Sequence, residues 1–506
     1  MNQTIQKKMS DSPALRWTAL VLLASAMFFA YIFVDILSPL QEILQTQRGW
    51  DPQAYGHFAG SEPFLNVFVF FLIFAGIILD KMGVRFTAIL SGGVMVLGAA
   101  INWFAVTDTF EASSFKTFMD GILNLPQAWW NVTPWYDGMP ASAKLSAIGF
   151  MIFGCGAEMA GITVSRGIVK WFTGHEMALA MGIEMAIARV GVAVVMIGSP
   201  ALASIAPVSV SRPVAASLLL VCIGLICFVV YGFMDKKLDA QGAEEEKDDP
   251  FKISDIGKIL SLRMFWVVAL LCVLYYSAIF PFQKYAINML QCNLHFTAEQ
   301  AGYVFFVFPL GAAAVTPFLG NFLDRKGKGA TMLILGAVLM IVCHFIFAFV
   351  VPATQSVVIT LAAIIVLGIS FSLVPAALWP SVPKLIDGKL LGSAYALIFW
   401  IQNIGLYAFP MIIGSVLKAS NPGVEDPLKY NYTIPMVVFA MLGVAALILG
   451  LYLKAIDKKG GYGLEEPNIK KSYDNNKRGN IIHLPHKVET MPTNNSQALF
   501  LFLFAT

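Results

Sequence analysis

Two charged residues sit where apolar helices should carry none. Glu158 lies about 13 residues before the turn Trp171-Phe172-Thr173-Gly174-His175-Glu176, and Arg189 lies about 13 residues after it. At about 1.5 Å per helical residue, both stand roughly 20 Å from that turn. In an antiparallel hairpin this is one shared depth, near the middle of a bilayer about 30 Å thick. A charge there costs a few kcal/mol or more, so such residues pair with each other or line a wet cavity. A carboxylate suits a cation and a guanidinium suits an anion. Two readings stand: a polar site built from both, or an ion pair that only orients the hairpin. Glu184 and Arg166 lie on the same two helices, nearer the turn. Their spacing predicts a diagonal pair with a gating or structural role.

The chain around them is a membrane chain. It has 506 residues, 58% hydrophobic and 13% charged, with mean hydropathy +0.71. Soluble domains carry about 25% charged residues. A net charge of +3, with no basic run interleaved with aromatics, argues against a nucleic-acid partner. The six cysteines fall mostly inside apolar runs and show no zinc-ligand spacing and no disulfide framework. No metal or cofactor motif appears. The helix motif of metalloproteases and the nucleophile elbow are both missing, so an enzyme is not expected.

Twelve spans are expected, in two six-helix bundles. Residues 1–16 read as a polar N-terminus and 17–234 as the first bundle. Residues 235–262 read as a charged linker, in which Ile253, Ile256, Ile259 and Leu260 predict a short interfacial helix. Residues 263–456 form the second bundle, and 457–506 a disordered tail rich in Asn, Lys and Ser. The second span is placed at 60–79 and the third at 86–106. Residues 107–142 read as a long interfacial loop with three tryptophans and the sequon Asn131-Val-Thr133. Basic residues concentrate on one side, which puts both termini in the cytosol. Asp35 fits a helix-end carboxylate as well as a ligand.

A repeat marks the two halves. Asp80-Lys81-Met-Gly83-Val-Arg85 follows the second span, and Asp324-Arg325-Lys326-Gly327-Lys328 follows the eighth. Asp80, Arg85, Asp324 and Arg325 are therefore candidate gate residues. Repeated halves are a transporter pattern, with the site at the midplane between them. The hairpin of spans ten and eleven turns near Asp387, and the register of Arg189 maps there onto Gln402-Asn403. Tyr275 and Tyr276 in the seventh span, and Trp379 before Pro380 in the tenth, add polar rings at similar depth. Helix packing explains these rings equally well.

The repeated turns resemble the signature loop of the major facilitator superfamily. Gly156-Ala-Glu158, Ala188-Arg189, Tyr275-Tyr276, Phe280-Pro281-Phe282, Leu378-Trp379-Pro380 and Gln402-Asn403-Ile-Gly405-Leu406 resemble its lysosomal dipeptide uniporter branch. The likeness covers all the spans but neither the 107–142 loop nor the tail. It implies a twelve-helix carrier that moves dipeptides without required ion coupling, with Glu158 and Arg189 in the substrate site; a monomer working by alternating access is expected. Glu184 stands where the likeness implies an amide, and Lys284 where it implies a glycine. No acidic dileucine sorting signal is present, so a bacterial inner-membrane protein is expected rather than a lysosomal one. The competing expectation is a proton-coupled carrier of organic anions or amino acids, with Arg189 as ligand and Glu158 as proton site. A sensor or an intramembrane enzyme ranks below both.

Overall fold

The computed structural model describes residues 9–126, 133–241 and 253–467. The sequon asparagine Asn131, the acidic run Glu244–Glu246 and the tail beyond residue 467 lie outside them. Among the described residues, eleven helices are long and apolar enough to cross a membrane. One of them, Phe71–Ala105, is two spans joined at Gly83, whose φ of 76° and ψ of 170° are not helical. Only glycine adopts such a conformation without strain. Counting that pair separately gives the twelve crossings expected.

The helices form because long apolar runs in lipid must satisfy their backbone internally. Leu219, Phe233, Phe318 and Val358 are more than half exposed on the outer faces, as lipid contact requires. Prolines inside the spans do not break them. Pro281 lies inside the continuous helix Arg263–Leu294, and Pro380 inside Val357–Leu385. Neighbouring helices can take up the carbonyl that a proline leaves free.

The second span differs most from expectation. It begins at Pro52, capped by the Asp51 side chain, and runs as Pro52–Ser61, Phe64–Phe68 and then the first part of Phe71–Ala105. The first break falls at Glu62-Pro63. Proline has no N–H to continue the ladder. The polar start of this span is buried rather than interfacial, because it packs against the eleventh span, Leu391–Ser420. Gly56 lies so close to that helix that a Cβ would run into the Pro410 carbonyl.

The 107–142 segment is more ordered than a loop. It contains helices Asp108–Glu111 and Ser114–Gly121. Lys144, in the fourth span, donates to the carbonyls of Met119, Asp120 and Ile122, which ties the segment to the bundle. The expected linker helix is present as Ile253–Leu260. The first residues of the expected tail, as far as 467, are ordered. The last helix continues to Gly460, and residues 461–467 fold back over the turn between spans eight and nine. There Lys328 and Gly329 donate their amides to the carbonyls of Glu465 and Leu464. Hydrogen bonding of this kind, together with the buried Leu464 side chain, orders the segment.

Polar contacts between the halves gather at the end opposite the basic turns. Lys418 pairs with Asp51 at 2.7 Å, Gln291 donates to Glu42 at 2.6 Å, and Ser204 donates to Glu299 at 2.6 Å.

Candidate functional site

A cavity of about 180 Å³ lies between the halves. Its walls come from spans one, two, four and five of the first half, and seven, eight, ten and eleven of the second. Glu158, Arg189, Gln402 and Asn403 all line it. The register argument on the sequence therefore places four predicted residues in one space.

Glu158 and Arg189 do not pair with each other. Asn403 donates from Nδ2 to Glu158 Oε1 at 3.5 Å, a long contact from the opposite half. Arg189 donates from Nη1 to Thr316 Oγ1 at 2.9 Å, again across the halves. Its guanidinium carbon sits 5.2 Å from the centre of the Phe371 ring. Nη2 is buried without a hydrogen-bond partner. The hairpin ion pair is thus replaced by two contacts that each leave bonding capacity unused. An unsatisfied buried donor costs free energy, and a ligand that fills it recovers that cost.

The predicted rings are set back from the cavity. Tyr275 donates its hydroxyl to the Leu333 carbonyl inside the second bundle. Trp379 donates from Nε1 to the Tyr276 hydroxyl at 3.2 Å, and both side chains are fully buried. Trp379 stacks on Phe399 with centroids 4.8 Å apart, and Tyr276 stacks on Phe280. Tyr31, Phe150, Phe280, Phe308 and Phe371 are the rings that reach the cavity wall. Tyr275, Tyr276 and Trp379 buttress the site and do not form its surface. Gln402 does face the cavity, with its Oε1 accepting from Cys272 Sγ.

Sequence reasoning missed one end of the site. Asp35, Glu62, Gln283 and Lys284 also line the cavity. Lys284 Nζ lies 2.7 Å from Asp35 Oδ1 and donates to the Val34 carbonyl at 2.8 Å. Gln283 donates to the other Asp35 oxygen at 2.7 Å, and Ser38 to the first at 2.9 Å. Gln41 and Tyr55 donate to the Lys284 carbonyl. This network joins the first and seventh spans and closes the cavity at the end opposite the basic turns. The readable signal was Lys284, a charge one turn past Pro281 in an apolar span.

The expected gate residues are also rearranged. Arg166 pairs with Asp80 at 2.6 Å, not with Glu184. Glu184 is buried, and its Oε2 has no hydrogen-bond partner. Arg85 reaches Asp239 at 3.2 Å and Asp235 at 3.9 Å. Lys170 meets Asp235 at 2.8 Å, while Trp171 and Tyr231 donate to the same carboxylate. The first turn is therefore clamped to spans four and six of its own half. In the repeat, Asp324 and Arg325 end helix Val307–Lys326, beside Gly327 with a φ of 71°.

The Major Facilitator Superfamily model matches residues 23–410 and 285–477. The lysosomal dipeptide transporter MFSD1 of Danio rerio is 29% identical over 332 residues, 63% of this chain and 68% of that protein. Its Homo sapiens counterpart is 27% identical over 285 residues, 54% of this chain and 60% of its own length. The chain thus spans about six tenths of the human relative. Among solved structures, a bacterial homologue of the human lysosomal transporter Spinster superposes with TM-score 0.62 at 14% identity, covering 88% of this chain and 98% of its own. The nucleoside transporter NupG gives 0.60 at 14% identity, covering 87% and 99%. At such identities these two speak for the fold alone. Twelve crossings in two halves, charged residues lining one cavity between them and a family match over most of the length leave one assignment: this multi-pass membrane transporter, not an enzyme, belongs to the major facilitator superfamily.

Proposed function

We propose that the chain carries small zwitterionic peptides across the membrane by alternating access, as a uniporter. The observation that carries this reading is Arg189. Its guanidinium is buried at the cavity wall with one nitrogen unsatisfied, and Glu158 faces the same cavity without pairing to it. A substrate with an ammonium at one end and a carboxylate at the other meets both needs. Guanidinium and carboxylate are planar and bond bidentately, so Arg189 is the carboxylate ligand. Glu158 and Asn403 receive the ammonium end, with the Asn403 side-chain oxygen as the second acceptor. The transporters named for dipeptides among its relatives support the same substrate class.

Alternating access follows from where the contacts lie. Arg189–Thr316 and Glu158–Asn403 bridge the halves at the cavity, while the Lys284–Asp35 network closes one end. A bound dipeptide competes for Arg189 and Glu158 and so changes how the halves are held together. Only a ligand with different affinities for the two states shifts their balance. On the charge asymmetry the closed end is the one away from the cytosol, so the cavity would open inward.

The test compares substrates. A dipeptide with an amidated C-terminus should bind wild type at least tenfold more weakly than the free acid, about 1.4 kcal/mol. Arg189→Ala should weaken the free acid and add little to the loss for the amide, and Arg189→Lys should not restore binding. Equal binding of free and amidated dipeptides by wild type would remove Arg189 as the carboxylate ligand. Uniport requires that uptake into proteoliposomes be unchanged by a protonophore. Uptake that collapses with the proton gradient would favour a proton-coupled carrier.

A further inference from the structure

The two basic turns are repeats, yet among the described residues only one is covered. In the second half, Thr331 lies one turn past Gly327. It holds the Glu465 carboxylate through its amide at 2.8 Å and through its hydroxyl. Lys454 of the twelfth span donates to the same hydroxyl at 2.6 Å. A carboxylate from residues 461–467 thus sits between the basic ends of spans nine and twelve. The counterpart of that place lies between spans three and six. Gly83 and Thr87 repeat Gly327 and Thr331, and Asp235-Lys236-Lys237 repeats Asp457-Lys458-Lys459.

At that counterpart the structure has an open groove of about 340 Å³. Its apolar walls include Met82, Phe86, Ile89 and Phe233, all exposed on the lipid-facing side. Its charged lining is Arg85 and Lys236. The nearby acids are already engaged, because Asp235 and Asp239 both pair with Lys170 and with Arg85. Lys236 is exposed and is left over, with no carboxylate within 4 Å among the described residues. Arg85 is 40% exposed and only 3.9 Å from Asp235, so its fork of donors has room for another acceptor. The groove therefore offers cations at its cytosolic edge and bare hydrocarbon deeper in. A soluble anion would use the first and leave the second unfilled.

We propose that this groove binds one anionic phospholipid of the cytosolic leaflet, its phosphate between Arg85 and Lys236 and an acyl chain along Phe86, Ile89 and Phe233. Guanidinium suits phosphate because the two bond bidentately. Basic pockets between spans on the cytosolic side take such headgroups. The lipid supplies from outside the negative charge that Glu465 supplies in the second half. The proposal is independent of which substrate the chain carries.

The test counts phosphatidylglycerol and phosphatidylcholine bound to the purified full-length protein by native mass spectrometry. Wild type should hold phosphatidylglycerol at least about fivefold more tightly than phosphatidylcholine, the worth of one cation at an anionic surface. Lys236→Gln should remove most of that preference, and Lys236→Arg should keep it. Lys237→Gln removes the same charge from a position outside the groove and should change nothing. Ile89→Trp fills the groove without altering charge and should also lower phosphatidylglycerol binding. The proposal is overturned if wild type shows no preference, or if Lys236→Gln and Lys237→Gln lose it equally, which would make it a diffuse surface effect. If phosphatidylglycerol binds only after Glu244, Glu245 and Glu246 are replaced by glutamine, the chain's own acidic run is the occupant, and the proposal is overturned as well.

Discussion

Lys284 and Asp35 are buried against each other at the closed end of the cavity, with side chains 12% and 3% exposed. Removing one member leaves the other charged and unpaired. Lys284→Met should therefore destabilise the protein by roughly 3–5 kcal/mol, seen as a lower melting temperature in detergent. Asp35→Asn added to Lys284→Met should recover much of the loss, because no uncompensated charge remains. A double variant no better than the single would show that the network acts through Gln283 and Ser38 and not through the charge pair. The same depth argument explains what could be read from the sequence. Glu158, Arg189, Gln402 and Asn403 stand out because polar residues interrupt apolar runs, and all four line the cavity. Tyr275, Tyr276 and Trp379 are equally polar at one atom, yet their rings have enough apolar surface to pack inside the second bundle. Residue type does not distinguish a ring facing a cavity from a ring behind it. Glu62 went unread because the second span was started at residue 60, which put a midplane carboxylate at the membrane edge.

At the scale of elements, the errors share a cause. Segment Pro52–Ser61 is too polar to look like a membrane helix, but it faces protein, where hydropathy does not apply. Residues 461–467 look like a tail, but their partners are backbone groups about 130 residues away. Glu465 accepts from the Thr331 amide at 2.8 Å and from the Thr331 hydroxyl, so it caps the ninth span. Lys384, at the end of the tenth span, donates to the carbonyls of Gly463 and Glu466. The segment thus ties together the basic ends of spans nine, ten and twelve. Glu465→Ala should cost about 1 kcal/mol, the usual worth of a helix cap. Gly327→Ala should cost more, because its Cβ would run into the Glu465 carbonyl and its φ of 71° suits only glycine. Limited proteolysis between residues 455 and 470 should accelerate in both variants. Cleavage at the wild-type rate in Gly327→Ala would show that the strap does not depend on this contact.

For the whole molecule, the question is what permits the outer end to close. Spans two and eleven approach each other most closely there at glycines. Gly56 packs on the Pro410 carbonyl and on Gly414, and Gly414 in turn packs on the Pro52 carbonyl and the Tyr285 hydroxyl. Small residues allow helix backbones to approach closely in membranes. The backbone at Gly56 and Gly414 does not itself require glycine, since both sit at ordinary helical positions. If the two helices separate when the outer end opens, a side chain added there penalises one state and spares the other. Gly56→Val should shift the protein toward the outward-open state, and each 1.4 kcal/mol of clash changes that ratio tenfold. Binding of substrate from outside should persist while transport falls, because the cycle can no longer pass through the closed form. Spin labels at Thr109→Cys in the first half and Glu425→Cys in the second, both on exposed positions at the outer end, would read the separation directly. The expected result is a longer distance in Gly56→Val than in wild type. An unchanged distance with transport intact would show that the two helices separate by some other route, and that the glycine contact is not what seals the outer side.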